Sequence, residues 1–275
     1  MTPHFTALEA AYQLRYYLSF KTQYLKPTLA PAETQDLVHQ VLADVGERQQ
    51  YHLLETSISP DHLRLLISLQ PNDTVSKTVQ MLKGNLQYQF GKCSSPKVQL
   101  GGGYFARSVG NVDLERVRQY VDDQIPHHRD TGEWGTALKF HNEAFTSPAF
   151  TFAHHVSILN YHLVFATQNR ISLFDEVIAP NLFQYLLRIS KKHQFEIDRV
   201  GVLPDHLHLV VEGIPGMSVA DYALAIMNNT RHWMTQKYSG VLKEMNGWDV
   251  WRPSYYAGTV GEFTTAQLAS FLKLP

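Results

Sequence analysis

Cysteine is nearly missing from this chain: Cys93 is the only one among 275 residues. A lone thiol forms no internal disulfide, so the expected compartment is a reducing one, the cytoplasm. Cys93 itself sits in the loop-like run Gly91-Lys92-Cys93-Ser94-Ser95-Pro96 and reads as an ordinary loop thiol, not a nucleophile. No apolar run approaches the roughly 20 residues of a membrane span. The start lacks a charged segment followed by an apolar core, so no signal peptide is expected. Excess charge is missing too: the net charge is -1 and only 18% of residues are charged. That excludes a global field that draws in nucleic acid, and leaves any such site to local basic patches. Hydrophobic residues, at 44%, are ample for the core of one large or two small domains.

The most informative stretch is Pro204-Asp205-His206-Leu207-His208-Leu209-Val210-Val211. It reads as a turn leading into a strand. Side chains alternate faces along a strand, so His206 and His208 share one face while Leu207 takes the other. Two imidazoles so placed can share a divalent metal; two ordinary histidines at a sheet edge are the competing reading.

The pattern gains weight because the chain repeats itself. Tyr16 to Gln23 matches Tyr161 to Gln168, and Pro60-Asp61-His62-Leu63-Arg64 matches Pro204-Asp205-His206-Leu207-His208. Tyr104-Phe105-Ala106-Arg107-Ser108-Val109-Gly110 matches Tyr255-Tyr256-Ala257-Gly258-Thr259-Val260-Gly261. The order of elements is also repeated. A strand from Tyr12 to Gln23 precedes a helix from about Glu33 to Arg48, with Leu37, Val41 and Val45 at helical spacing. Strands near Tyr51–Ile58 and His62–Leu69, a helix from Val75 to Phe90 and a short extended piece from Tyr104 to Val109 come next. A last helix, Asp113 to Gln124, is capped by Asp113 and stopped by Pro126. The predicted organisation is a first lobe over 1–124, a linker over 125–155 containing His127, His128 and Trp134, and a second lobe over 156–275. Each lobe is expected to be α+β, with helices on one face of a mainly antiparallel sheet.

In the last helix of the first lobe, Leu114, Val117 and Val121 form an apolar stripe. Tyr120 and Gln124 are i, i+4 neighbours at its edge. An amphipathic helix with a boundary tyrosine is the ordinary reading of these residues alone.

Taken together, Tyr-Phe-Ala-Arg-Ser-Val-Gly, the helix ending Tyr-Val-Asp-Asp-Gln and Pro-Asp-His-Leu-His-Leu-Val-Val resemble the single-tyrosine HUH transposases of bacterial insertion sequences, including the REP-associated ones. The resemblance covers both lobes. It implies two ferredoxin-like lobes in an internal pseudo-dimer. It also implies a metal-dependent enzyme, with Mg²⁺ or Mn²⁺, that nicks and rejoins single-stranded DNA bearing a hairpin. In that family two histidines and a helix glutamine hold the metal, which polarises the scissile phosphate. A tyrosine attacks to leave a 5′-phosphotyrosine and a free 3′-hydroxyl. Phenols ordinarily ionise near pH 10, so a metal or base must favour the phenolate; the sequence does not identify the base.

Carried over residue by residue, these roles split between the lobes. The first lobe keeps Tyr120 and Gln124, but its histidine pair is His62 and Arg64, and a guanidinium cannot replace an imidazole as ligand. The second keeps His206 and His208, but has Phe271 at the tyrosine position and Pro275 at the glutamine position. The resemblance implies sites built in trans, so one full site is expected from Tyr120, Gln124, His206 and His208, within a monomer acting as a pseudo-dimer. The opposite pairing, His62 and Arg64 under Phe271, is a dead site that either holds DNA phosphate through Arg64 or only supports the fold. The rival functions are a catalytically silent hairpin-binding protein and a replication or mobilisation initiator with the same chemistry. Tyr104, Tyr255 and Tyr256 are lesser nucleophile candidates. Lys77, Lys83, Lys92, Lys97 and Arg107 in the first lobe, with Arg231 and Lys237 in the second, are candidate DNA contacts. Trp233, Trp248 and Trp251 are candidate base-stacking residues whose default is packing.

Overall fold

The computed structural model describes residues 4–92, 97–122, 138–146, 149–152, 155–244 and 249–273. The first lobe runs β1 (Glu9–Gln13), β2 (Arg15–Lys21), α1 (Ala32–Gln49), β3 (His52–Ser59), β4 (His62–Ser68), α2 (Val75–Lys92), β5 (Tyr104–Val109) and α3 (Leu114–Asp122). Two short strands follow, β6 (Leu138–His141) and β7 (Phe150–Phe152). The second lobe runs β8 (His155–Thr167), α4 (Ile178–His193), β9 (Glu196–Leu203), β10 (His206–Gly213), α5 (Val219–Lys237), α6 (Ser239–Glu244), β11 (Trp251–Val260) and α7 (Thr265–Leu272). No described helix is long and apolar enough to cross a membrane.

The two lobes share one sheet, ordered β3-β4-β2-β5-β8-β10-β9-β6, with β11 pairing to both β8 and β1. Alternation along the strands sorts the side chains. Leu63, Leu65 and Ile67 of β4 and Leu207, Leu209 and Val211 of β10 face a continuous core. The buried faces of α1, α2, α4 and α5 close that core, including Val38 and Leu42, Leu82 and Leu86, Leu182 and Leu186, and Tyr222 and Ile226. Expectation of helices on one face describes these four long helices. The two terminal helices lie on the other face, and each crosses to the opposite lobe. There α3 packs Val117 and Val121 on Val210 and Val260, and α7 packs Leu268 and Leu272 on Leu66 and Val109.

Several boundaries differ from the sequence reading. The first strand, read as continuous from Tyr12, is two strands because β1 leaves its own lobe to pair with β11. The extended pieces before the last helices are internal strands: β5 lies between β2 and β8. Within 125–155, β6 extends the sheet beside β9 and β7 pairs with β8. His127, His128, Trp134 and Cys93 lie outside the described residues.

The lobes join by reciprocal exchange. Glu9–Gln13 pairs in parallel with Ser254–Gly258, while His155–Ile158 pairs in parallel with Tyr104–Arg107. Equivalent residues therefore make equivalent contacts, the signature of a two-fold relation. Tyr16 and Tyr161, matched in the repeat, meet at this axis with hydroxyls 3.3 Å apart. Ser108 and Thr259 are also matched. Ser108 Oγ donates to the Val260 carbonyl at 2.5 Å and accepts from the Asn160 amide; Thr259 Oγ1 donates to the Val109 carbonyl at 2.7 Å and accepts from the Arg15 amide.

Two residues further on, the backbones cross. A Cβ on Gly261 would stand 2.2 Å from the Ser108 carbonyl oxygen, and one on Gly110 would stand 2.7 Å from that of Thr259. The Val-Gly pair is thus required where two chain segments pass at backbone contact, on their way to α3 and α7. Gly261→Ala is expected to lower stability by about 1–3 kcal/mol through overpacking against backbone that has no room to yield; denaturant unfolding measures it.

Candidate active site

The approach of α3 to the second lobe is fixed by apolar contact and by charge. Beside the valine stripe, Arg118 Nε pairs with Asp198 at 2.7 Å, and Asp122 pairs with Arg199. Asp198 projects from a β-bulge, where the pairing of β9 with β10 shifts between Val210 and Val211. The first lobe has a bulge at the matching place, between Leu53 and Glu55. There the charges are reversed: Lys273 of α7 pairs with Glu55 at 2.9 Å, and Leu54 stands at the position of Asp198. Docked on its own lobe, α3 would set Asp122 against Glu55 and leave Arg118 facing Leu54. The charge pattern therefore selects the crossed arrangement by repulsion as well as attraction.

This docking sets Tyr120 over β10. Its ring centroid is 5.6 Å from that of His208 and 6.0 Å from that of His162, edge-on to both. Tyr120 is 42% exposed, whereas His206 and His208 are only 3% and 5% exposed. The ring centroids of the two histidines are 5.0 Å apart. His208 lines an open cleft of about 450 Å³ together with Tyr120, His162, Tyr256 and Arg116. The structure thus brings together Tyr120 from one lobe and the histidine pair from the other. Gln124 and Pro275 lie outside the described residues.

Each motif histidine is held through Nδ1. Asp205 Oδ1 lies 2.5 Å from His206 Nδ1, and Arg170 Nε pairs with Asp205 at 2.8 Å. Burial alone would raise the Asp205 carboxyl; its hydrogen bond to His206 and the charges of His206 and Arg170 outweigh this and hold it below its ordinary value. His162 Nε2 lies 3.0 Å from His208 Nδ1, with the two rings stacked. Burial pushes His162 down to about 4, so it is neutral near pH 7. Asp205, Arg170 and His162 were not read from the sequence as site residues. Asp205 is legible as the motif neighbour of His206. Finding His162 requires the register that sets Val210 opposite it, one step along from His208 and Val164.

A metal held here would meet Nε2 of both histidines, since hydrogen bonds to Nδ1 fix the tautomer and orient the ring. Among the described residues, no group of three His, Cys, Asp or Glu side chains is placed to hold a metal. Imidazole nitrogen by itself favours Zn²⁺, Cu²⁺ or Fe²⁺, and Mg²⁺ or Mn²⁺ would be held by two imidazoles where oxygen donors complete the shell. His206 and His208 would supply two nitrogen ligands to such an ion.

The matching place in the first lobe keeps the histidine–aspartate contact and differs in the rest. His62 Nδ1 contacts Asp61 at 2.8 Å, and Arg64 donates to Ser59 Oγ at 2.9 Å. Tyr17 stands where the second lobe has His162, and Leu25 where it has Arg170. Phe271 is 55% exposed on α7. Of the lesser tyrosines, Tyr255 is buried and pushed up to about 12, chiefly by desolvation, and Tyr104 packs against His155 with ring centroids 4.5 Å apart. Tyr256 departs from the packing role expected of it: it lines the cleft, 6.0 Å from His162.

The candidate DNA contacts divide. Lys77, Lys92 and Lys97 are exposed, Lys92 lying over Tyr88. Lys83 instead donates to the carbonyls of Gly101 and Gly103, and burial lowers its pKa. Arg231 is 7% exposed, paired with Asp249 at 2.6 Å and lying over Phe5, so it is an internal residue and not a surface contact. Arg107 pairs with Glu262, and Lys237 donates to Asn181. Trp251 is a core residue that donates to Thr230, Trp233 stacks on Tyr185, and Trp248 lies outside the described residues.

Comparison with known proteins agrees with the duplication. Residues 10–124 and 155–273 each match the sequence model of the family described as "Transposase IS200 like". The two matches span most of the chain, which belongs to the IS200-like transposase family. The ISDra2 transposase TnpA of Deinococcus radiodurans is 28% identical over 115 residues, 42% of this chain and 82% of its own length. A solved transposase candidate from Deinococcus radiodurans is 27% identical, covering 45% of this chain and 95% of its own, with TM-score 0.39. A REP-associated tyrosine transposase bound to a REP hairpin is 12% identical, covering 48% and 75%, with TM-score 0.31.

The ion pairs that dock α3 are open to a double-mutant test. Asp122→Arg should destabilise the fold, and adding Arg199→Asp should recover part of the loss, with a coupling of about 0.5–3 kcal/mol. Additive effects in thermal or denaturant unfolding would remove the pair from the docking account.

Proposed function

We propose that the chain nicks and rejoins single-stranded DNA at one composite site, with Tyr120 as nucleophile and His206, His208 and Gln124 as ligands of Mg²⁺ or Mn²⁺. The observation carrying this reading is that only one of the two crossed pairings keeps a full set of groups. It holds the tyrosine, both histidines and also Arg170 and His162, which steady them and which the first lobe replaces with Leu25 and Tyr17; the aspartate beside the first histidine is kept in both lobes. Random loss in a duplicated chain gives no reason for the supports to survive beside the surviving ligands.

A bound divalent ion would draw charge from the scissile phosphate and neutralise the transition state. The protein's part is positional. Crossed docking of α3 holds the Tyr120 hydroxyl over the histidine face, and β10 presents both imidazoles from a rigid, buried strand. In the first step the Tyr120 oxygen bonds to phosphorus as the bond to the 3′ oxygen breaks. The phenol proton is lost and the departing 3′ oxygen gains one, leaving a 5′-phosphotyrosine and a 3′-hydroxyl. Rejoining reverses this: a 3′-hydroxyl attacks the phosphotyrosine and frees the phenol. Bond energy is retained throughout, so no nucleotide hydrolysis is needed. His162 keeps the His208 ring in orientation, and Arg170 does the same for His206 through Asp205. A hairpin-bearing strand is the substrate the family resemblance implies, and a single chain supplies both halves of the site.

Incubation with a hairpin-bearing single strand and Mn²⁺ should yield a covalent protein–DNA adduct. Tyr120→Phe should abolish it, Tyr256→Phe should still form it, and His208→Ala should lower its rate by at least about 100-fold. An adduct persisting in Tyr120→Phe would overturn the nucleophile. No adduct from the unaltered protein, with hairpin binding retained, would favour a silent DNA-binding protein.

A further inference from the structure

The first-lobe counterpart of the cleft carries cations where the second lobe has a candidate ligand and two small residues. On the second lobe, three rows of side chains cross the face under α3. His206 lies opposite Ala166; His208 opposite Val164, with Tyr256 beyond; and Val210 opposite His162, with Gly258 beyond. On the first lobe the same rows under α7 read His62 and Lys21; Arg64, Ser19 and Phe105; and Leu66, Tyr17 and Arg107. A cation thus stands in place of an alanine, the histidine proposed as a metal ligand and a glycine on a single sheet face. Loss of function alone gives no reason for three positive substitutions there.

The arginines are prepared for an anion. Arg64 is steadied by Ser59 beside the concavity of about 220 Å³ that Lys21, His62, Ser19 and Phe105 line. The Arg107 guanidinium lies 5.0 Å from the Phe263 ring centroid and 5.9 Å from that of Phe105. It is paired with Glu262, whose side chain is 70% exposed and so sits at the rim, where phosphate can displace it. The other acids nearby, Asp61 and Glu55, are paired with His62 and Lys273. Phe263, beside Arg107, and Phe271, on the helix that covers this lobe, are both exposed. Fixed guanidinium forks bind phosphate without a metal, and exposed rings stack unpaired bases.

We infer that this face is a second, metal-independent site that grips the backbone of single-stranded DNA, with Arg64, Arg107 and Lys21 on phosphate and Phe271 against a base. The inference rests on the proposed reading of the chain as a single-strand nicking enzyme. With Phe271 in place of a hydroxyl, the strand is held without being cut. Holding one strand while the composite site processes another supplies both partners of a joining reaction within one chain.

The test separates this site from the composite one. In a Tyr120→Phe, His208→Ala background with EDTA present, a labelled single-stranded oligonucleotide should still bind, as read by fluorescence anisotropy. Adding Arg64→Ala or Arg107→Ala should weaken binding about tenfold and reduce the salt slope by about one per cation removed. Arg64→Lys should restore part of the loss, and Glu262→Gln should tighten binding. Thermal unfolding confirms that each variant is folded. The inference is overturned if the arginine variants bind unchanged, or if millimolar inorganic phosphate saturates the site while the oligonucleotide does not. The Mn²⁺ adduct assay on the unaltered protein reports separately on the composite site, so failure of one reading is distinguishable from failure of the other.

Discussion

Close passage of two backbones at Gly110 and Gly261 is the constraint on which the rest depends. Because these segments cross at contact distance, each terminal helix is delivered to the lobe it does not belong to. The hydroxyls of Ser108 and Thr259 tie the crossing from both sides. Everything functional in the cleft follows from that geometry: without it, Tyr120 would stand over His62 and Arg64, and His206 and His208 would face a phenylalanine.

A crossing alone leaves two like lobes free to exchange helices, and divergence between them removes that freedom. The pair Asp122 with Arg199 is charge-reversed relative to Lys273 with Glu55, and the bulge residue is Asp198 in one lobe and Leu54 in the other. Each helix therefore fits one surface and is repelled by the other. A duplicated chain that had kept identical lobes would carry two equal sites. Divergence gives this one a chemically distinct pair: a face of buried, hydrogen-bonded imidazoles and a face of guanidinium groups.

Much of this was legible in the sequence. The repeat, the alternation of His206 and His208, and the stripe of Val117 and Val121 each rest on local pattern, so element type could be read; the crossed pairing was an implication of the family resemblance. Non-local register could not. Nothing near Tyr12 announces that β1 leaves its lobe to pair with β11, and His162 enters the site only because β8 lies antiparallel to β10. The candidate basic residues show the same limit: Arg231 and Lys83 read as surface cations, yet one is buried against Asp249 and the other is bound to loop carbonyls. Whether a long cationic side chain meets solvent is decided by its neighbours in space.

The central claim is that one site is assembled from both lobes. Mass-spectrometric mapping of the covalent adduct formed with a hairpin-bearing single strand and Mn²⁺ tests it most directly. The account predicts that the nucleotide is carried on the peptide containing Tyr120, and that the modified peptide disappears when His208, on the other lobe, is replaced by alanine. A nucleotide carried by Tyr256 or another second-lobe tyrosine would contradict it, since the site would then lie within a single lobe.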